Sequence, residues 1–329
     1  MALSTFFDHF RAVRRWAAQH DAKVEMDVRS MQLEIRCANL YFTFFPIFAA
    51  SLNDRLVHIE DLADSAIAFG GWRPYKPYST RLSTEKLLFK QHLSEAGVRT
   101  PQLWPPGQQP SLGYIRKKSR GSFGYDIQGP FQATVPVLPP GPGGQDAALF
   151  HEQFVAGKIV KIWYWGHTAF FAETQDYAMI TGDGSSTVGA LADAKVNQDI
   201  GANVLADKAI LASCVAYQGF SLTDVLPDGR ELWIDFRYGR TFEKRQGGAT
   251  TTSALAELNA SSGEQIAQMG TLMRAALREV APVPLAYSVD AVLDEQGQLW
   301  WLELNSHPMF PHAGYDVMLC DIYNRKSKV

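Results

Sequence analysis

The chain is short of cysteine, of net charge and of long apolar runs, and each shortage narrows its class. Its three cysteines, Cys37, Cys214 and Cys320, are odd in number and far apart. No zinc spacing and no disulfide framework can be read from them, so a reducing compartment is the simpler inference. With 31 Lys+Arg against 34 Asp+Glu, the formal net charge is -3. Without a basic excess there is little to neutralise a phosphate backbone or an anionic lipid surface, so neither nucleic acid nor membrane is an expected partner. The most apolar stretch, Leu40 to Leu52, is interrupted by Pro46 and is too short to span a bilayer. Arg11, Arg14 and Arg15 lead into no apolar run with a small-residue cleavage site, so no signal peptide is read and the expected location is the cytoplasm.

Several familiar signatures are missing as well. No Gly-x-Gly-x-x-Gly opens a helix after a first strand, which argues against a dehydrogenase. No Gly-Lys-Ser/Thr completes a Walker A loop. None of the eight histidines has a clear triad context. No internal repeat and no long low-complexity tract is visible.

What is present is a chain of 329 residues, 46% hydrophobic, enough for a sizeable core. Phe6, Phe10, Val13 and Ala17 recur at helical spacing, which predicts a helix over residues 4–20. Val24, Met26 and Val28, then Met31, Leu33 and Ile35, then residues 40–45 predict a small antiparallel sheet behind it. The turn-rich stretch 70–77 marks a lobe boundary. A second helix is expected to start at a Ser83 cap and to stop at Gly97. Residues 127–144, rich in proline and glycine, read as a loop. Strands are expected over 150–172 and 232–236, and helices over 206–218 and 264–280. The last has Ile266, Met269, Met273, Leu277 and Val280 on one face.

The most informative residues lie on a final hairpin, 285–293 and 299–304, joined by a short loop. Glu303 and Asn305 are two apart on a strand and share a face, while Leu302 and Leu304 are expected to face the core. The loop length brings Asp290 to within about a residue of the position opposite Glu303. Two carboxylates and an amide oxygen then meet as hard donors of the kind Mg²⁺ takes. The alternative is a solvated strand face with ordinary polar residues. Upstream, a strand through Arg116, Lys117 and Lys118 enters a small loop with Gly121, Ser122 and Gly124. Backbone N–H groups there can cradle phosphate, or the loop is a plain turn. Lys86 sits near a helix start, where a cation opposes the dipole.

The order of these pieces resembles the ATP-grasp superfamily. They are Ser83-Thr84-Glu85-Lys86, the Lys117 to Gly124 segment, Glu152-Gln153-Phe154-Val155, and Asp290 with Leu302-Glu303-Leu304-Asn305. Thr181-Gly182-Asp183-Gly184-Ser185-Ser186-Thr187-Val188 is similar to a segment of the cyanophycin-synthetase and bifunctional glutathione-synthase branch, with a looser echo in Leu226-Pro227-Asp228-Gly229, Phe236-Arg237 and Gly247-Gly248.

The resemblance implies an α+β fold in which two lobes grip ATP: a small N-terminal lobe over 1–80 and an ATP-grasp domain over 81–329. It implies ATP and Mg²⁺ as cofactors, with Mn²⁺ able to replace Mg²⁺. Lys86 and Lys117 would contact phosphates, and Gly121, Ser122 and Gly124 would lie in the loop closing over them. Glu152, Phe154 and Val155 would line the adenine pocket, with Asp290, Glu303 and Asn305 holding metal. Lys161 and Arg237 would be cations near the transferred phosphate or the acyl substrate. The implied activity joins a small-molecule carboxylate, an amino acid or peptide, to an amine through an acylphosphate.

The alternatives are phosphoryl transfer to a hydroxyl and a non-catalytic nucleotide-binding role. Oligomeric state stays open, a homodimer included. Residues 121–124 and 182–186 are the expected lids. His307 and His312, after the metal strand, read as loop residues, or as substrate contacts or a base. Lys158-Ile159-Val160-Lys161 stands where many relatives have an acid for the ribose, and residues 1–80 lack the family's glycine-rich start.

Overall fold

The computed structural model describes residues 2–52, 55–120, 127–137, 149–198, 207–240, 242, 252–281 and 284–326. The fold is α+β, and among the described residues every strand pairing is antiparallel. Helix α1 (Ala2–Gln19) covers a five-stranded sheet. Its strands are β1 (Lys23–Met26), β2 (Leu33–Cys37), β3 (Leu40–Leu52), β4 (Arg55–Ile59) and β5 (Ala66–Arg73). Phe6, Val13, Trp16 and Ala17 form the buried stripe of α1, as the helical spacing predicts. Val28 and Met31 fall in the turn between β1 and β2, not on the strands.

Strand β3 runs straight through Pro46. It pairs with β2 over its first half and with β4 from Phe48 on, while β5 holds the other edge. Pro46 lies between the two runs on the shared edge, where a strand tolerates a missing donor.

The expected second helix is two pieces, α2 (Arg81–Thr84) and α3 (Lys86–Glu95). The cap is Thr80 and not Ser83. Thr80 and Ser83 form a reciprocal capping box, so Ser83 is the inner partner. Glu85, in an extended conformation (φ -119, ψ 95), breaks the helix and makes Lys86 the first residue of α3.

A second sheet has strand order β6-β9-β7-β8, from β6 (Leu103–Trp104), β7 (Tyr114–Lys118), β8 (Ile127–Phe131) and β9 (Leu149–Gln153). The start of the expected 127–144 loop is therefore strand β8. Its Pro130 is compatible with pairing because β8 is an edge strand. Residues 138–148 lie outside the described residues.

The third sheet, ordered β11-β10-β14-β15, carries the core. It consists of β10 (Lys158–Trp165), β11 (Thr168–Gln175), β14 (Ala286–Leu293) and β15 (Leu299–Asn305). One face packs on α6 (Leu255–Leu277), which begins well before the expected residue 264 and bends at Ser262. Val160, Ile162, Tyr164, Val289, Ala291 and Leu304 on the sheet meet Ile266, Met269, Met273 and Leu277 on the helix. Each such large apolar side chain, fully buried, contributes about 1.5–3 kcal/mol. A small unit holds β12 (Ala178–Thr181) paired with β13 (Glu231–Asp235), α4 (Val188–Gln198) and α5 (Lys208–Tyr217). The last helix, α7 (Gly314–Ile322), packs on α1, and its Tyr315, Met318 and Leu319 share one core cluster with the N-terminal sheet, Trp165 and Ala286.

Candidate active site

The face of the third sheet turned away from α6 carries a row of charge. Register places Glu173 opposite Lys161, Lys161 opposite Asp290, and Asp290 opposite Glu303, one residue from each of the four strands. Alternation along each strand puts the apolar neighbours on the α6 side and leaves these on the other. The expected approach of Asp290 to Glu303 is thus a direct cross-strand pair. Asn305, one step along β15, donates its Nδ2–H to Asp290 Oδ2 at 3.1 Å.

One detail of the hairpin differs from the expected alternation. Ala291 pairs with Trp301 while Asp290 pairs with Glu303, so Leu302 is the extra residue of a β-bulge. Leu302 is half-buried, and Trp301 takes the core position in its stead.

Lysines from separate elements meet this row. Lys161 on β10 donates to Asp290 Oδ1, and Lys86 Nζ reaches Glu303 Oε2 at 2.8 Å. Asp290 has its carboxyl raised by burial and by the Glu303 charge, against the pull of Lys161. For Glu303, burial acts upward, but Lys86 and Lys117 override it and hold the carboxyl below its usual range.

Beside this row, on the second sheet, Glu152 is 1% exposed and sits between two ammonium groups. Lys117 Nζ lies 2.6 Å from Oε1 and Lys90 Nζ 2.9 Å from Oε2. Ile115 pairs with Glu152, so Lys117, two residues further along β7, is its diagonal neighbour on the same face. Lys90 is one helical turn beyond Lys86 on α3 and also donates to the Trp301 carbonyl at 3.0 Å. Burial alone would push the Glu152 carboxyl up, yet Lys117 and Lys90 bring it down to about 2. Burial lowers Lys90 to about 8 although Glu152 opposes it. Four lysines (86, 90, 117 and 161) and four carboxylates (152, 173, 290 and 303) balance formally where the two sheets and α3 meet.

The other expected site residues take these places. Phe154, next to this cluster in the chain, packs on Tyr217, Trp233 and Phe236 with ring centroids 5.2, 5.6 and 5.3 Å away. The Val155 carbonyl accepts from Tyr177 Oη at 3.3 Å. Gly121, Ser122 and Gly124 lie outside the described residues, as does Gly247-Gly248. Arg237 grips Asp235, with Nε 3.0 Å from Oδ1 and Nη2 2.7 Å from Oδ2, and reaches Asp207 at 3.2 Å. It is buried, and the adjacent Tyr238 lies under Lys161 Nζ, 4.9 Å from the ring centre.

The expected lid segment 182–186 forms a hydrogen-bonded turn. Asp183 accepts from the backbone N–H and hydroxyl of both Ser185 and Ser186. Gly182 donates to the Arg230 carbonyl, and its own carbonyl accepts from Gly229. A Cβ at Gly182 would lie 2.1 Å from the Pro227 oxygen. The two segments similar to the glutathione-synthase branch therefore pack on each other and build the small β12–β13 unit.

His307 is half-buried against Tyr78 and His58, with ring centroids 5.5 and 5.9 Å away. Burial, helped by His58 and Arg73, lowers it to about 4, so it is neutral near pH 7 and a weak base. Arg73, fully buried, ties this segment down by donating to the Pro308 carbonyl at 2.8 Å and lying 4.4 Å from the centre of the Phe310 ring.

Sequence reasoning missed Glu173 and Lys90. A signal existed for Lys90. It sits four residues after Lys86, one turn along the same helix face, although its partner Glu152 is set by tertiary packing.

The donor set fits a hard divalent cation. Two carboxylates are paired across one strand pair, burial first and the Glu303 charge second raise the Asp290 carboxyl, and an amide lies beside them.

No family model matches the chain, and no curated protein does. Solved structures do match. A bifunctional glutathione synthetase from Pasteurella multocida is 12% identical over 95% of this chain and 44% of its own, with a TM-score of 0.44. A D-alanine–D-alanine ligase from Bacillus anthracis is 11% identical over 69% and 58%, with a TM-score of 0.34. An L-amino acid ligase from Bacillus licheniformis is 10% identical over 70% and 42%, with a TM-score of 0.32. The chain spans less than two thirds of each, and likeness at this level assigns no activity. Among the described residues, no helix is long and apolar enough to cross a membrane.

Proposed function

We propose that this chain is an ATP-grasp ligase. In this reading it uses ATP and Mg²⁺ to activate a carboxylate as an acylphosphate and joins it to the amine of an amino acid or small peptide. The observation that supports this most is the direct pairing of Asp290 with Glu303, flanked by Asn305 and met by Lys86 of α3 and Lys161 of β10. Carboxylates that hold a cation and ammonium groups that receive phosphate are what phosphoryl transfer from ATP requires. Residues 1–80 form the N-terminal lobe and 81–329 the ATP-grasp domain, whose last helix α7 packs into the core of that lobe, in the cytoplasm.

Asp290, Glu303 and Asn305 would hold Mg²⁺, which when bound offsets phosphate charge; Mn²⁺ can take its place. Lys86 and Lys117 bind phosphate oxygens, and Lys161 or Arg237 stabilises charge on the transferred group. Gly121, Ser122 and Gly124 close over the phosphates, while Glu152, Phe154 and Val155 border the adenine. A carboxylate oxygen of the acid substrate attacks the γ-phosphorus and ADP leaves. The amine nitrogen then attacks the acyl carbon, phosphate leaves, and the nitrogen gives its proton to solvent. No nucleophilic side chain is needed.

The test is phosphate release from Mg-ATP against amino acids, singly and in pairs, with mass spectrometry of the products. Release that needs two substrates and yields a condensed mass supports the ligase. A phosphorylated product with ADP and no free phosphate contradicts it in favour of hydroxyl phosphorylation.

A further inference from the structure

Away from the charged row, at the seam between the first and last helices, three dissimilar donors converge. His20 follows the end of α1, and Asp316 and Cys320 sit one turn apart on α7. His20 Nε2 lies 4.0 Å from Cys320 Sγ, Asp316 Oδ1 lies 3.9 Å from the same sulfur, and all three ligand atoms fall within 4.8 Å of one another. Ligand atoms at bonds of about 2.0–2.3 Å around one tetrahedral ion stand roughly 3.3–3.8 Å apart, so a small inward movement of each donor suffices.

The surroundings hold these donors in place. The backbone N–H of His20 donates to Trp16 and Ala17, and its carbonyl accepts from Cys37 Sγ at 3.5 Å. The His20 ring lies against Trp16 with centroids 4.7 Å apart. The Trp16 indole N–H donates to Cys320 Sγ at 3.3 Å, the kind of outer contact that stabilises a metal-bound thiolate. The nearby Arg325 guanidinium is directed at Cys37 Sγ, 3.5 Å away.

We propose that His20, Asp316 and Cys320 form a second metal site, distinct from the magnesium donors, that takes a thiophilic first-row divalent ion such as Zn²⁺. Thiolate and imidazole select such an ion over Mg²⁺ or Ca²⁺. One thiolate, one carboxylate and one neutral imidazole cancel the charge of a divalent ion, which suits a site whose sulfur is buried. Binding replaces the Cys320 S–H proton, released to buffer, with an S–metal bond, and overcomes the upward push that burial gives this thiol. His20 and Asp316 are half-exposed, so water completes the fourth position. The site clasps α1 to α7, elements some 300 residues apart in sequence. No cysteine spacing signals it, because only one cysteine takes part and its partners come from both ends of the chain.

The test uses the full chain, stripped with a chelator and without ATP. Titration with Co²⁺ is expected to raise a thiolate-to-cobalt charge-transfer band that saturates at one equivalent, and Zn²⁺ to abolish it and raise Tm. His20→Asn, Asp316→Asn and Cys320→Ser lose the saturable band, and Trp16→Phe weakens binding about tenfold. Cys37→Ser and Cys214→Ser retain it. A wild-type protein with no band and no Tm shift, or a band that persists in Cys320→Ser, overturns the proposal. Neither result depends on ligase activity, which is assayed separately.

Discussion

Lys90 and Glu152 face each other at 2.9 Å, each 1% exposed, with Lys117 completing the group from the other side at 2.6 Å. Charges this deep are costly unless each keeps a partner. The three residues come from α3, β7 and β9, so the group ties the helix that carries Lys86 to the second sheet.

The two ways of breaking this group differ. Lys90→Met leaves Glu152 paired with Lys117, whereas Glu152→Gln strands two ammonium groups together. Glu152→Gln is expected to cost the more, about 3–5 kcal/mol, and Lys90→Met clearly less. Urea unfolding of both variants checks the order; equal costs contradict it. The pH dependence has a defined sign. The folded carboxyl lies at about 2 and its ordinary value is 4.5. The stability it contributes is therefore fully present above about 4.5 and lost as pH falls toward 2. Glu152→Gln flattens that part of the curve.

Histidines set a second acid limb. Burial, aided by Arg73 and His312, lowers His9 to about 3, and His307 lies at about 4, against an ordinary 6.5. Below 6.5 the unfolded chain binds these protons first, so stability falls as pH drops from 6.5 toward 4. Unfolding curves of His307→Gln should show a shallower decline over that range than wild type. An unchanged slope argues that His307 is not held neutral by the fold.

Gly182 tests the hydrogen-bonded turn. A methyl there meets the Pro227 carbonyl at 2.1 Å, so Gly182→Ala should lose about 1–3 kcal/mol. A mobile lid would accept the methyl with no change in Tm.

How far the sequence could be read follows from range. The placement of Asp290, Glu303 and Asn305 is legible because strand alternation and a short hairpin loop fix face and register locally. The Leu302 bulge was not, since an extra residue leaves no mark on an alternating pattern that Trp301 can also fill. Thr80 and Ser83 are both good caps, and only the reciprocal bond decides between them. Glu173 joins the row through the register of two further strands, and Lys90 joins Glu152 across more than sixty residues, so both depended on tertiary packing. The close approach of the Pro227 backbone to Gly182 joins positions far apart in the chain, so no local pattern shows it.

Lys86 tests the phosphate site. It is partly exposed, at 16%, and its partner Glu303 keeps solvent contact. Lys86→Met removes the 2.8 Å partner of a mostly buried carboxylate, so it is expected to lower Tm by roughly several degrees while the chain still folds. It should weaken ATP binding by about tenfold or more, measured by calorimetry. Undiminished ATP affinity removes Lys86 from the phosphate site.

The most direct measurement is phosphate release from Mg-ATP by Glu303→Ala beside wild type, both shown folded by circular dichroism and given the substrates that support wild-type turnover. Loss of turnover in a folded variant is the predicted result, because one of two opposed metal donors is gone. Turnover at the wild-type rate would contradict the assignment of Asp290, Glu303 and Asn305 as the cation site and the ligase reading built on it.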